Sequence, residues 1–158
     1  MILTNTRQRV TGLTSTSTLS FELGISDQST VKLDFDRVPL RLVKYWARRA
    51  CIFYMLEGYI IFQSSASSYH VVFNLPVSWD VNIEIMCWVA IESQLEKLRD
   101  YVLMQGRKGS STLRVGPKGE KLPPKIIEHA RYGKQDKAIQ EFLDKRKQLL
   151  SIYSKICV

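Results

Sequence analysis

The chain has 158 residues, 45% of them apolar, and a formal net charge of +8. That length and apolar content fit one compact domain whose core needs no covalent staples, and the scattered Cys51, Cys87 and Cys157 argue against a disulfide framework or a zinc site. No run approaches the ~18 apolar residues of a membrane span, and the polar, Thr-rich start lacks a signal-peptide core, so a soluble, cytoplasmic protein with no membrane partner is expected.

The charge is unevenly placed. Residues 1–105 hold ten basic and ten acidic groups, whereas residues 106–158 hold thirteen basic against five acidic. A cationic end of this kind suits a polyanion, most simply nucleic acid, through phosphate neutralisation and counterion release. A solvated helix surface is the plainer reading of the same charges.

Residues 1–18 lack periodicity and read as a flexible arm or an edge element. Leu19, Phe21 and Leu23 alternate with polar neighbours up to Gly24, as in a short strand, and residues 26–30 carry turn chemistry. Val31 to Asp36 alternates as a strand. Pro39 suits the first turn of a helix carrying Val43, Trp46, Ala47, Ala50, Phe53 and Tyr54 at helical spacing and ending near Gly58. Tyr59–Phe62 and Tyr69–Phe73 read as the two strands of a hairpin joined by residues 64–68. Beyond Pro76, the spacing of Val81, Ile85, Trp88, Ile91, Leu95 and Leu98 predicts one helix closed by Asp100. Tyr101–Met104 and Thr112–Val115 flank the turn Gly106-Arg107-Lys108-Gly109 and predict a second hairpin. Pro123 and Pro124 open a short helix that Gly133 ends, and Ile139, Phe142, Leu143, Leu149, Leu150, Tyr153 and Ile156 line one face of a last helix.

The order strand, helix, strand, strand, helix, strand over residues 31–104 predicts an α/β fold with a ferredoxin-like core, the architecture of RNA-recognition modules and many polymerase palms. The site has to decide the function, since the fold hosts many. Alternation in Val31–Asp36 puts Asp34 and Asp36 on one face, where two carboxylates repel unless a cation lies between them. The pair therefore reads as a site for a divalent metal. In such a sheet Ser68, His70 and Asp100 come near the pair. Carboxylates could then hold the metal ions that activate an attacking hydroxyl and neutralise a leaving pyrophosphate, while Ser68 and His70 hydrogen-bond an incoming triphosphate. Each residue also has a plainer reading. The acids could be solvated on an edge strand, His70 a satisfied strand histidine, and Arg114 and Lys118 part of a basic face.

The run Val-Lys-Leu-Asp34-Phe-Asp36, a helix, and then Gly58-Tyr-Ile-Ile-Phe-Gln-Ser-Ser-Ala-Ser-Ser68-Tyr-His70-Val-Val-Phe resembles the catalytic core of archaeo-eukaryotic primases and primase-polymerases. Asp100 is similar to that family's later lone acid, with Asp80 and Glu84 as alternatives, and Thr112-Leu113-Arg114-Val115-Gly116-Pro117-Lys118-Gly119 to its arginine strand with a lysine near a glycine turn. The resemblance covers about residues 29–120. It implies a DNA primase or primase-polymerase that makes or extends short primers on a single-stranded template. Asp34, Asp36 and Asp100 would be catalytic and hold Mg²⁺ or Mn²⁺; Ser68, His70, Arg114 and Lys118 would take the nucleoside triphosphate. The chain divides on this reading into an arm (1–18), a primase-like core (19–120) and a basic helical extension (121–158). Arg107, Lys108, Lys145, Arg146 and Lys147 are candidate nucleic-acid contacts, and a helicase or other replication protein is a candidate partner. The alternatives are a non-catalytic, primase-derived or RRM-like nucleic-acid-binding protein of a mobile element, and a small nuclease using the same acids.

Overall fold

The computed structural model describes residues 4–5 and 21–156. Most of the arm expected over 1–18, together with Leu19 and Cys157, lies outside the described residues. The chain forms an α/β structure of antiparallel sheets and, among the described residues, four helices.

The principal sheet starts from β4 (Thr30–Phe35), which follows two short strands, β1 (Thr4–Asn5) paired with β2 (Phe21–Glu22), and then β3 (Gly24–Asp27). Val31, Leu33 and Phe35 point to one face of β4 and are fully buried, while Lys32 and Asp34 point to the other. Helix α1 (Leu40–Tyr54) begins after Pro39, which stands at the N-cap, and buries Val43, Ala47, Ala50 and Cys51. It stops where Met55 turns left-handed and its N–H bonds the Cys51 carbonyl. Strands β5 (Gly58–Ser65) and β6 (Ser68–Pro76) form the expected hairpin, with only residues 66–67 between them.

Four strands make up this sheet in the order β4-β6-β5-β8, β8 being Lys125–Arg131. Its apolar face, with Val31, Leu33, Phe35, Tyr59, Ile61, Val71 and Phe73, packs on α1, on α2 (Trp79–Ser93) and on α3 (Glu96–Lys108). The opposite face carries Ile60, Phe62 and Val72. These pack against α4 (Lys137–Ile156) through Ile139, Phe142 and Leu149, and against Ile25 of β3, Leu113 of β7 (Ser111–Arg114) and Val115 just beyond β7.

Four expectations need correction. Gly24 begins a strand rather than ending one, because β3 pairs with β7 from Gly24↔Arg114 to Asp27↔Ser111, so Ser26 and Asp27 are strand residues. The single helix expected after Pro76 is two: Gln94 takes a left-handed conformation (φ 56°) and the chain restarts at Glu96. Tyr101–Met104 is the middle of α3, not a strand, and Gly109 is the left-handed C-cap of that helix rather than the end of a hairpin turn. Residues 125–131 form β8, an edge strand on β5, where a short helix was expected. In β3, in residues 101–104 and in β8, pairing and packing partners distant in sequence decided the local conformation.

Candidate active site

The open part of the polar sheet face forms the floor of the site. Antiparallel register puts Asp34 opposite His70, and His70 opposite Phe62, so Asp34, His70 and Phe62 make one row across three strands. The next row is Lys32, Val72 and Ile60. Helix α4 lies on the Ile60, Phe62 and Val72 side of this face, and the Asp34 side stays open as a cleft of about 650 Å³.

The candidate residues lining this cleft come from five parts of the chain. Asp34 and Asp36 come from β4 and its end, Ser68 and His70 from β6, Asp100 from α3, Arg114 from β7, and Lys118 from the loop that follows. All seven of the residues assigned to catalysis or nucleotide binding from sequence thus share one cavity, although Asp100 reaches it from a helix. Lys108 lines it as well. Arg107 instead borders an apolar groove between α2 and α3, and Lys147 a shallow hollow along α4. Arg146 is tied down, its guanidinium 5.5 Å from the Phe62 ring centroid and donating to the Pro124 carbonyl at 2.7 Å. Lys145 is exposed on α4.

The two acids differ in environment. Burial, reinforced by the neighbouring Asp36 charge, raises the Asp34 carboxyl to about 6. Its nearest charged-type contact is His70, with Nε2 3.7 Å from Oδ1. Burial, followed by the Arg114 charge, lowers the His70 imidazole to about 3, so the ring is neutral and the contact is not an ion pair. Asp36 is held below the usual carboxylate range, first by its hydrogen bond from Lys97 and then by that from Ser68. Lys97 Nζ lies 2.7 Å from Oδ2, and Ser68 Oγ donates to Oδ1 at 2.7 Å. Ser68 Oγ in turn accepts from the Arg37 N–H at 3.2 Å.

Arg114 braces the rim. Its Nη2 donates to the Ser64 carbonyl at 3.0 Å, and its Nη1 to the carbonyls of Gly116 and, at 3.2 Å, Leu122. Lys118 pairs with Glu22 at 3.2 Å.

Hard carboxylate oxygens at Asp34 and Asp36, with a raised Asp34 that a cation would relieve, fit a divalent ion in donor chemistry. Among the described residues no group of three or more His, Cys, Asp or Glu side chains is gathered as a ready metal cage. A metal here would therefore rest on two carboxylates and complete its shell with water or substrate oxygens, as Mg²⁺ sites commonly do.

Sequence reasoning missed Lys97, Tyr101 and Lys121, all of which line the cleft, and the buried Lys32 beneath it. Positions 97, 100, 101, 104 and 108 follow helical spacing, a signal hidden by reading 101–104 as a strand. Lys32 is fully buried, paired with Asp27 at 2.7 Å and bonded to Ser111 Oγ at 3.2 Å, and burial lowers it to about 8. The alternation that aligned the two aspartates also put Lys32 on their face; its partners come from β3 and β7. No family model, curated protein or solved structure matches the chain.

Proposed function

We propose that the protein is a metal-dependent nucleotidyltransferase of primase or primase-polymerase type, which makes or extends short primers on a single-stranded nucleic-acid template. The observation that carries this reading is the convergence of Asp34, Asp36, Ser68, His70, Asp100, Arg114 and Lys118 on one cleft from separate elements. The connectivity β4-α1-β5-β6 with sheet order β4-β6-β5 supports a ferredoxin-like, RRM-like core, with β7 packed beside β4 and β8 added at the far edge.

Asp34 and Asp36 would hold Mg²⁺ or Mn²⁺, with Asp100 lining the same cleft from the facing helix. Bound there, the ion supplies activation of the attacking hydroxyl and charge neutralisation at the leaving pyrophosphate. The chain's own groups do the rest. Arg114, Lys118, Lys121 and Lys108 surround the triphosphate with positive charge. The neutral His70, hydrogen-bonded to the Arg114 backbone, does not compete as a cation for the carboxylates. Ser68 fixes the Asp36 carboxylate through its hydrogen bond, and so acts as a positioning residue. A helicase or other replication protein, in the cytoplasm, fits this activity as a partner.

One observation favours a second reading, a non-catalytic nucleic-acid binder: both oxygens of Asp36 already have protein partners. Incubation with single-stranded template, labelled nucleotides and Mn²⁺ separates the two. The proposal expects template-dependent products that vanish in Asp34→Asn; template binding with no incorporation would establish the binder.

A further inference from the structure

Two carboxylates lining one cleft, Asp34 on β4 and Asp36 in the turn after it, need a counter-charge, and this protein provides one from α3. Lys97 stands in the first turn of α3 and reaches across to Asp36 at 2.7 Å. Together with Ser68 it occupies both carboxylate oxygens of Asp36, whereas Asp34 has no hydrogen-bond partner among the described residues beyond its 3.7 Å approach to His70. The backbone beneath Lys97 is fixed, because the next residue, Leu98, is buried in the core. The Lys97 side chain is about half exposed, and Asp36 is its only bonded partner among the described residues. It can therefore leave Asp36 by rotating its own stem, with no movement of the helix.

A lysine suits that role. Its ammonium is a compact point charge on a flexible stem, without the bidentate fork by which an arginine would lock onto the carboxylate. An exposed ion pair of this type is weak. A divalent ion brings twice the charge to the same oxygens and would displace it. The freed ammonium then stays in a cleft whose walls already carry Lys108, Arg114, Lys118 and Lys121, the surroundings of a polyphosphate.

Resting on the metal-dependent reading above, we propose that Lys97 is a resident counter-cation: it neutralises Asp36 until a divalent metal arrives, and then turns to the phosphates of the nucleotide. Metal entry and triphosphate capture are thereby linked through one side chain. Removing its charge has opposite effects on the two ligands, which a purely structural role does not produce.

The test uses the full chain and two substitutions, Lys97→Met, which keeps the apolar stem, and Lys97→Arg. Free Mn²⁺ is followed by electron paramagnetic resonance, and ATP binding at saturating Mn²⁺ by calorimetry, with circular dichroism confirming the fold. Lys97→Met is expected to bind Mn²⁺ about two- to fivefold more tightly than the wild type, the range an exposed ion pair controls. It is expected to bind ATP more weakly by a similar factor, and Lys97→Arg to recover ATP binding. Mn²⁺ affinity that is unchanged or reduced in Lys97→Met, with the wild type and not Asp34→Asn binding the ion, overturns the Lys97 proposal and leaves the metal site standing. Absence of Mn²⁺ binding in both the wild type and Lys97→Met overturns the metal reading itself and this proposal with it.

Discussion

Asp34 and His70 stand opposite one another in the β4–β6 ladder, 3.7 Å apart at Oδ1 and Nε2, yet burial acts on them in opposite directions and keeps the imidazole neutral. A folded-state value of about 3 against an ordinary 6.5 means that the unfolded chain binds a proton here first as pH falls. Stability from this group is therefore complete above about pH 6.5 and is lost progressively toward about 3. The two ring ¹⁵N shifts of His70 should keep the wide separation of a neutral tautomer across roughly pH 5 to 8, as read by NMR, with only a small displacement near pH 6 reporting the ionisation of Asp34. Loss of that separation with a midpoint near the ordinary histidine value would mean that the ring is open to water.

Asp34 works with the opposite sign. Its carboxyl is raised to about 6, so the folded protein holds this proton more tightly than the unfolded chain, and the group costs stability once pH rises past that value. Asp34→Asn should raise the urea midpoint at pH 7 by the equivalent of about 1 kcal/mol, discounted for the exposed part of the carboxylate. The gain should disappear near pH 4, where the carboxyl is protonated. Nucleotide incorporation should be lost in the same variant. A variant that is more stable and inactive is the expected mark of a site residue.

Arg114 should not tolerate replacement by lysine. Its guanidinium joins β7 to the end of β5 and to the 116–122 loop through three carbonyls, a fork that an ammonium cannot reproduce. Arg114→Lys is expected to lower stability by about 1–2 kcal/mol and to weaken ATP binding further than the loss of stability accounts for. Thermal denaturation and calorimetry on one preparation measure both.

Gly58 starts β5 with φ +143°, and a Cβ there would lie 2.3 Å from the Ala130 carbonyl oxygen. Gly58→Ala should destabilise the protein by about 2 kcal/mol or more. The loss should concentrate at the β5–β8 ladder, so amide exchange of residues 126–130 should accelerate before that of the β4–β6 pair.

The basic helix divides into anchoring and free charges. Arg146 lies against Phe62 and bonds Pro124, so Arg146→Glu should act chiefly as a folding lesion. Lys145 and Lys147 are exposed, and reversing both should leave the melting temperature nearly unchanged. If they meet phosphates, the reversal should reduce the salt slope of single-stranded DNA binding by about two. An unaltered slope would assign these lysines to solvent.

Legibility in the sequence followed how local each signal was. The strand at Val31–Asp36, helix α1, the β5–β6 hairpin and α4 all show the periodicity of a one-sided or wholly buried element, and they stand close to where they were expected. The run Tyr101-Val102-Leu103-Met104 reads as a strand because Tyr101 and Val102 favour one. Burial of Leu98, Val102 and Gln105 at helical spacing overrides that preference. Strand β8 exposes both Ile126 and Ile127, so no alternation marks it, and it exists through its pairing with β5. The break at Gln94 carries neither glycine nor proline to announce it. For the site, strand alternation sufficed to group Asp34 with Asp36. The partners of Asp36 and Lys32 come from Lys97, Ser68, Asp27 and Ser111, which only the tertiary fold brings into range.

Helix α4 has a bearing on traffic. By resting on Ile60, Phe62 and Val72 it closes the middle of the polar sheet face, and Phe142 meets the Phe62 ring at a centroid distance of 5.7 Å. A polymer stretched flat across all four strands has no room there, and the Phe62 ring is already covered. What stays open on this face is the cleft beside Asp34. A nucleic acid bound as proposed above would have to enter that cleft by its end or a short bend rather than lie along the sheet.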